Sequence, residues 1–461
     1  MTDQTDRPDA SAPADPASPA QPTPESTAAA SPPAPATGAD LDRRRFFRQF
    51  AGEIANTAAT MVGTVQALQR TSAELAGSLL DPNRLGADAG VVIPQQRVSG
   101  TPAVAADALE VGFRTSFRVD GSTIRFTDQR ALPREVVEHA SISAAEVSWA
   151  IRNEVVQGGP AIGQAAAVGL ALTAGRVSTT RPYARRATLR GAANALVNTD
   201  PTHASIRWAV DRVMRAYQDV GELSEDGAAI VDAMTAEADR IVGEVTADHG
   251  RLVEAGVVAL DALPRPETGP LRVLVHGQSG ALAGGQLGTA LSIAIAVHHA
   301  EREIRVIVPE ARPSFAGSRI TCWELAGAGV AHLLIADAAA PAIIAVGDVD
   351  AILVPADRVA ANGDVAATIG SYALAVVAAR HGVPFIVCVP TSSIDLATAT
   401  GSAITIGSRP ASDLERFRDV ALAPRGTEIS VPAHDITPAE LVTKYLTADG
   451  VRSAPFGEAA S

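Results

Sequence analysis

From residue 271 onward the chain alternates between two hydrophobic periods. The short, branched runs LRVLVHG, IRVIVPE, AHLLIAD, AILVPAD and PFIVCVP are separated by stretches with helical spacing, among them LGTALSIAIAVHHAE, TCWELAGAG, PAIIAVGD and AATIGSYALAVVAARHG. Continuously apolar strands need cover on both faces, and connections of this length return the chain in parallel. A Rossmann-like parallel sheet with helices on both faces is therefore expected over residues 265–450. Ligands of such sheets bind beyond the carboxyl ends of the strands. Those ends carry His276 and Gly277, Glu310, Asp337, Asp357 and Pro390.

The preceding segment, 91–264, reads as a mostly helical α/β domain. SFRVDGSTIRFTDQRALP alternates about Asp120 and Gly121, a hairpin signal. Helical stretches follow: SAAEVSWAIRNEVV with Ser143 as its cap, AIGQAAAVGLALTA, HASIRWAVDRVMRAYQDV, and a long one from about Ser224 to Leu263. Residues 41–90 form an amphipathic helical extension, in which Phe47, Phe50, Ile54, Ala58, Met61, Val65 and Leu68 share one face. Residues 1–40 are rich in Pro, Ala, Ser and Thr and hold no Leu, Ile, Val, Phe, Tyr or Trp. Such a tail buries too little apolar surface to offset its ordering entropy and is expected to be disordered. The fold class is α/β.

A net charge of −13 argues against a nucleic-acid or anionic-membrane surface. With only Cys322 and Cys388, a disulfide framework is not expected, a four-cysteine zinc site is impossible, and both thiols read as core residues. RRRFF superficially looks like a twin-arginine export signal, but Glu53, Asn56 and Gln66 interrupt the apolar stretch that should follow. A cytoplasmic protein with no membrane span is expected.

Two glycine-rich segments open helices. QGGPAIGQ opens a helix with Gly158, Gly159 and Gly163 just after Gln157, and HGQSGALAGGQLGTAL puts Gly280, Gly284, Gly285 and Gly288, after His276, Gln278 and Ser279, between a strand and a helix. Glycine lets backbone amides approach an anion there, although close packing and tight turns also call for it. The P-loop lysine is missing from both.

In order along the chain stand TDQRALP, QGGPAIGQAAAVGLAL, HGQSGALAGGQLGTAL, EARPSFAGSRITCWEL, PADRVAANGDVAATIGSYALAV and VPFIVCVPTSSIDL. This series resembles the landmarks of the methylthioribose-1-phosphate isomerase family, which shares its fold with ribose-1,5-bisphosphate isomerase and the regulatory subunits of translation initiation factor 2B. The resemblance covers about residues 115–430 and implies an aldose–ketose isomerase of methionine salvage, working without metal or cofactor as a homodimer. It implies a catalytic cysteine and aspartate. The aspartate is Asp357, followed by Arg358, but the cysteine position is Gly277, which has no proton to give or take.

Other departures concern charge. Positions where the resemblance implies a substrate-holding arginine, a second arginine and a lysine are Gln157, Asp200 and Thr368, and an implied glutamine is Ala316. Phosphate binding should suffer, because each charge pair at ~4 Å is worth about 1 kcal/mol even in water. Three readings follow. One is a divergent isomerase acting through Asp357 on a small, sugar-like polar metabolite, with His276, Gln278, Ser279 and His203 as substitute polar groups. The second is a non-catalytic binding protein in the manner of the initiation-factor subunits. The third is the salvage isomerase itself with a rearranged site. If the 41–90 helix docks on the protein or its dimer partner, deleting residues 1–85 should lower the melting temperature or change the oligomeric state seen by light scattering. Unchanged values would assign that helix to an external partner.

Overall fold

A computed structural model describes residues 115–456 apart from 265, 267, 418 and 419. The expected tail (1–40), the amphipathic extension (41–90) and residues 91–114 lie outside the described residues. Strands β1 (Phe117–Asp120), β2 (Thr123–Thr127) and β3 (Glu138–Ser141) make a small antiparallel sheet. Its hairpin turns at Gly121, where φ is +58°, as the Asp-Gly signal anticipates.

Five helices follow: α1 (Ala144–Arg152), α2 (Gly159–Arg176), α3 (Pro182–Val197), α4 (Ala204–Val220) and α5 (Gly227–Asp261). Ser143 caps α1 by accepting from Glu146 N at 3.4 Å. Helix α2 is buried on nearly every side, which explains its run of Ala and Gly. A Cβ on Gly163 would meet Ser205 Cβ in α4 at 2.8 Å, and one on Gly169 would meet Val147 Cγ2 in α1 at 2.8 Å. Small residues thus set how closely its neighbours approach. Helix α5 joins two cores: Ile230, Met234, Ile241 and Val245 pack with α2 and α4, while Leu252, Ala259 and Leu260 pack beneath the large sheet.

That sheet comprises β4 (Leu271–Val275), β5 (Ile304–Pro309), β6 (His332–Ile335), β7 (Ala351–Pro355) and β10 (Phe385–Cys388), with two C-terminal strands. Helices α6 (Ala290–His299), α7 (Cys322–Gly327), α8 (Ala340–Ala345) and α9 (Ser371–His381) provide the connections. A second sheet holds β8 (Arg358–Ala360), β9 (Val365–Thr368), β11 (Ile394–Asp395) and, beyond the two-residue ribbon β12 (Arg416–Phe417) and β13 (Val420–Ala421), β14 (His434–Thr437). The chain closes with β15 (Lys444–Thr447) and β16 (Gly450–Arg452). The large sheet runs β16-β15-β10-β7-β4-β5-β6, parallel except for β15 with β16. Its faces are distinct: Val273 and Val275 point to the α5–α6 core, and Leu274 to the α8–α9 core.

One expectation changes. AATIGSYALAVVAARHG does not begin as helix, because Ala366–Thr368 belong to β9, paired with β8 and β14. The helix starts only after Gly370 (φ +104°), where the Asp435 carboxylate accepts from the amides of Gly370 (2.7 Å) and Tyr372 (3.1 Å). Among the described residues no helix is long and apolar enough to cross a membrane.

Glu324 in α7 is half-buried as a residue, with its carboxylate turned in against the turn after β4, where Oε1 accepts from Leu282 N at 3.1 Å. Burial raises its carboxyl to about 7. A folded pKa raised above the unfolded value of 4.5 means the folded state binds the extra proton between these limits. Stability should therefore fall as pH rises from about 4.5 to 7, by on the order of 3 kcal/mol from this group. Urea denaturation of Glu324→Gln should show a flatter profile over that window than the unmodified chain; parallel profiles would contradict it.

Candidate active site

The strand order creates the site. After β4 the chain moves outward to β5 and β6, then crosses to β7 on the other side of β4. Loops leaving β4 and β7 diverge, and a ligand fits between them. A cavity of about 380 Å³ lies over this gap, with Gln157, Gly158, Asp200, His203, Gln278, Asp357, Thr368 and His434 among its lining residues.

Three segments close around Asp357. Its amide donates to Ala366 O in β9 at 3.0 Å, and its carbonyl accepts from Ala204 N, the first residue of α4, at 3.3 Å. His203 immediately precedes α4 and brings Nε2 to 3.3 Å from Asp357 Oδ1. His434 opens β14 opposite Thr368 and brings Nε2 to 3.4 Å from Asp357 Oδ2. Behind His203, Asp200 Oδ2 lies 2.9 Å from Nδ1. The two imidazoles meet edge to face, centroids 5.2 Å apart. Gly159 leaves room for them, since a Cβ there would meet His203 Cδ2 at 3.2 Å and Asp357 Oδ1 at 3.4 Å.

The electrostatics follow from burial and these neighbours. Burial opposes charge on Asp357, but the charge of His203 and the hydrogen bonds from His203 and His434 outweigh it, holding the carboxyl well below the usual range. Burial likewise opposes charge on Asp200, yet His203 brings that carboxyl to about 2. For His203 burial disfavours the cation, while Asp200 and Asp357 on either side hold its pKa well above the ordinary imidazole value.

The remaining sequence candidates divide between cavity and framework. Gln278 is on the cavity wall, its Nε2 donating to Gln129 Oε1 at 2.6 Å. Gly158 (φ +96°) lies against Ala283, with no space for a side chain. His276 is enclosed, with Nε2 2.9 Å from Ile369 O, and burial lowers its pKa. Ser279 Oγ accepts from Leu291 N at 3.1 Å in the first turn of α6. Arg358 donates to Thr202 O (3.0 Å) and Pro201 O (2.9 Å) and pairs with Asp395 (2.9 Å). It thereby fixes the loop that carries Asp200 and His203. Sequence reasoning did not single out His434 or Arg409. Both lie in loop-rich sequence whose partners are distant along the chain. Arg409 lines the cavity but is neutralised by Glu154 and, at 2.7 Å, Asp413.

Neither cysteine offers a thiolate here. Burial pushes Cys322 up to about 11 and Cys388 further still. Gly277 has φ +84°, and a Cβ there would meet Thr368 Oγ1 at 2.9 Å and the Pro355 ring at 3.3 Å.

Comparison with known proteins adds a family context. Residues 155–454 match the initiation factor 2 subunit family. Methylthioribose-1-phosphate isomerase of Desulforudis audaxviator is 40% identical over 333 residues, 72% of this chain and 92% of that protein. The protein of the same name from Synechococcus sp. is 40% identical over 339 residues, 74% of this chain and 94% of that protein. Among solved structures, 5-methylthioribose 1-phosphate isomerase from Pyrococcus horikoshii OT3 superposes with a TM-score of 0.65 at 33% identity, covering 74% of this chain and 93% of that one. The delta subunit of translation initiation factor eIF-2B from A. fulgidus does so with a TM-score of 0.62 at 30% identity, covering 74% and 96%.

The Gly277 geometry makes a direct prediction. Gly277→Cys should destabilise the chain by about 1–2 kcal/mol from left-handed backbone alone, with the Thr368 contact adding to it. A lower urea midpoint for the variant checks this; an unchanged midpoint would mean that the loop accepts a side chain.

Proposed function

The chain belongs to the methylthioribose-1-phosphate isomerase family, within the wider initiation factor 2 subunit family, and from that premise we propose that it is an enzyme whose chemistry has moved from the cysteine position to Asp357 and its flanking histidines. The observation that carries this is a loss and a gain at one strand crossover. Gly277, leaving β4, offers no proton and no space for a side chain that would. Asp357, leaving β7, is met by His203 and His434 at 3.3 and 3.4 Å and faces the cavity. Asp357 touches the substrate, and His203, oriented by Asp200, completes a polar floor able to hold and move a proton.

The substrate is a small, sugar-like polar metabolite without a phosphate monoester. Gln157, Asp200 and Thr368 stand on the walls where cations for a dianion are expected. Arg409 is already paired, and the carboxylates of Asp200 and Asp357 outnumber the His203 imidazolium between them. Arg152 and Arg312 also line the cavity, the Arg312 guanidinium 4.6 Å from the Phe315 ring centre. Neither stands at a position where the resemblance implies a substrate-holding cation. A cytoplasmic homodimer is the setting this reading carries, twofold pairs being the commonest soluble oligomers.

Ketose formation from methylthioribose 1-phosphate, assayed beside the Desulforudis relative, should be slower by about 10²-fold or more, the usual contribution of one general acid–base group. Gly277→Cys should not restore it, because the wall cations are still missing. Fast turnover by the unmodified chain, abolished in Asp357→Asn, would return the protein to the salvage reaction and sink the proposal.

A further inference from the structure

We propose that His203, His434 and Asp357 bind one divalent transition-metal ion of the zinc class, with Asp200 as the outer carboxylate that orients His203. The sequence shows no metal-ligand spacing, and none was expected from it; the fold brings the donors together. One ring nitrogen of each histidine and a carboxylate oxygen of Asp357 all lie within 4.8 Å of one another. The separations of 3.3 and 3.4 Å between each Nε2 and its facing carboxylate oxygen are those of neighbouring ligands around one ion. Ligands about 2.0–2.2 Å from a tetrahedral zinc stand roughly 3.4 Å apart.

The direction of the donors agrees with this. Asp200 lies 2.9 Å from Nδ1 of His203, on the side of the ring away from Asp357, so Nε2 is the ring nitrogen left to face the site. The Nε2 of His434 faces the second oxygen of the same carboxylate, so a bound cation would take the place that ring protons otherwise fill between the three groups. His203 and Asp357 are each less than a tenth exposed, so little water would compete for such an ion.

The chemistry of the set narrows the ion. Two imidazoles and one carboxylate suit zinc, cobalt, nickel or iron(II) and poorly suit magnesium or calcium, which prefer oxygen ligands throughout. Three protein ligands leave a position open, and the cavity lies over these residues, with Gln278 and Arg312 also on its walls. That is the plan of a catalytic rather than a structural site. The open position would take a water or one oxygen of a hydroxylated or carbonyl-bearing substrate, which a bound cation polarises. This inference rests on the reading of the same cavity as the reactive site, and it names how an unphosphorylated polar substrate is held there.

The test needs no substrate, so its failure is separable from failure of the proposed activity. Full-length protein, stripped with a chelator, is titrated with zinc chloride by calorimetry, with cobalt(II) chloride by visible absorption, and with magnesium chloride as the oxygen-preferring control. The expected result is one equivalent of zinc, an intense visible cobalt band of low-coordinate type, and no magnesium binding at the same concentrations. His203→Ala and His434→Ala should weaken zinc by about 100-fold or more, and Asp200→Asn by about 10–100-fold. Circular dichroism checks that each variant folds, and His434→Gln decides the point if the alanine variant does not. Absence of stoichiometric zinc binding to the folded, unmodified chain would overturn the proposal and leave an imidazolium held between two carboxylates. Zinc binding that survives loss of His203 or His434 would overturn it equally, by placing the ion elsewhere.

Discussion

A carboxylate enclosed where β7 ends is the interaction on which the surrounding structure turns. Burial penalises the charge of Asp357, and the penalty is met only because three separate segments converge on it. Its amide bonds to β9, its carbonyl receives the first amide of α4, and its two oxygens face His203 and His434. Removing any one of these would leave a buried charge under-compensated, which costs more than an ordinary lost contact. The small second sheet therefore does more than decorate the large one. Its strands β9 and β14 hold Thr368 and His434 in register across the cavity from α4.

Rigidity behind the site comes from elements that touch no ligand. Helix α5 spans the helical core and the core beneath the sheet, so the loop before α4 and the ends of β4 and β7 share one frame. The small side chains of α2 let α1 and α4 pack closely, and Gly159 at its start leaves space for the His203 ring. Arg358 ties Pro201 and Thr202 to β8 and to Asp395. A side chain beside Asp357 is thus spent on positioning, even though its sequence location invites a substrate role.

The parallel sheet was legible because its strands are continuous apolar runs with helical spacers, a pattern that survives without any long-range information. The ends of those strands were legible for the same reason, and with them Asp357. The second sheet was not. Its strands are two to four residues long, and VAAT carries neither branched residues enough nor alternation to distinguish it from a helix start. Thr368 stands where the resemblance implies a lysine, but nothing in the sequence marks its cross-strand partner His434, because a single histidine in VPAHDITP has no periodic or spacing signal. In sequence Asp200 reads as a repulsive charge in a phosphate site. The structure adds that it faces a histidine, a relation carried by a loop and a helix start. His276 and Ser279 looked like substitute polar groups, whereas backbone partners in the framework engage both.

The proposed function turns on a cavity whose floor is carboxylate and imidazole rather than anion-binding. Family membership fixes the scaffold and its crossover, and Gln157, Asp200 and Thr368 line the cavity over it. The most direct measurement compares the dissociation constants of methylthioribose and methylthioribose 1-phosphate by calorimetry on the same protein. The proposed function requires that the phosphate bring no gain in affinity, or weaken binding. Tightening by about 100-fold, equivalent to roughly 2.7 kcal/mol, would show that a working phosphate site persists and would contradict it.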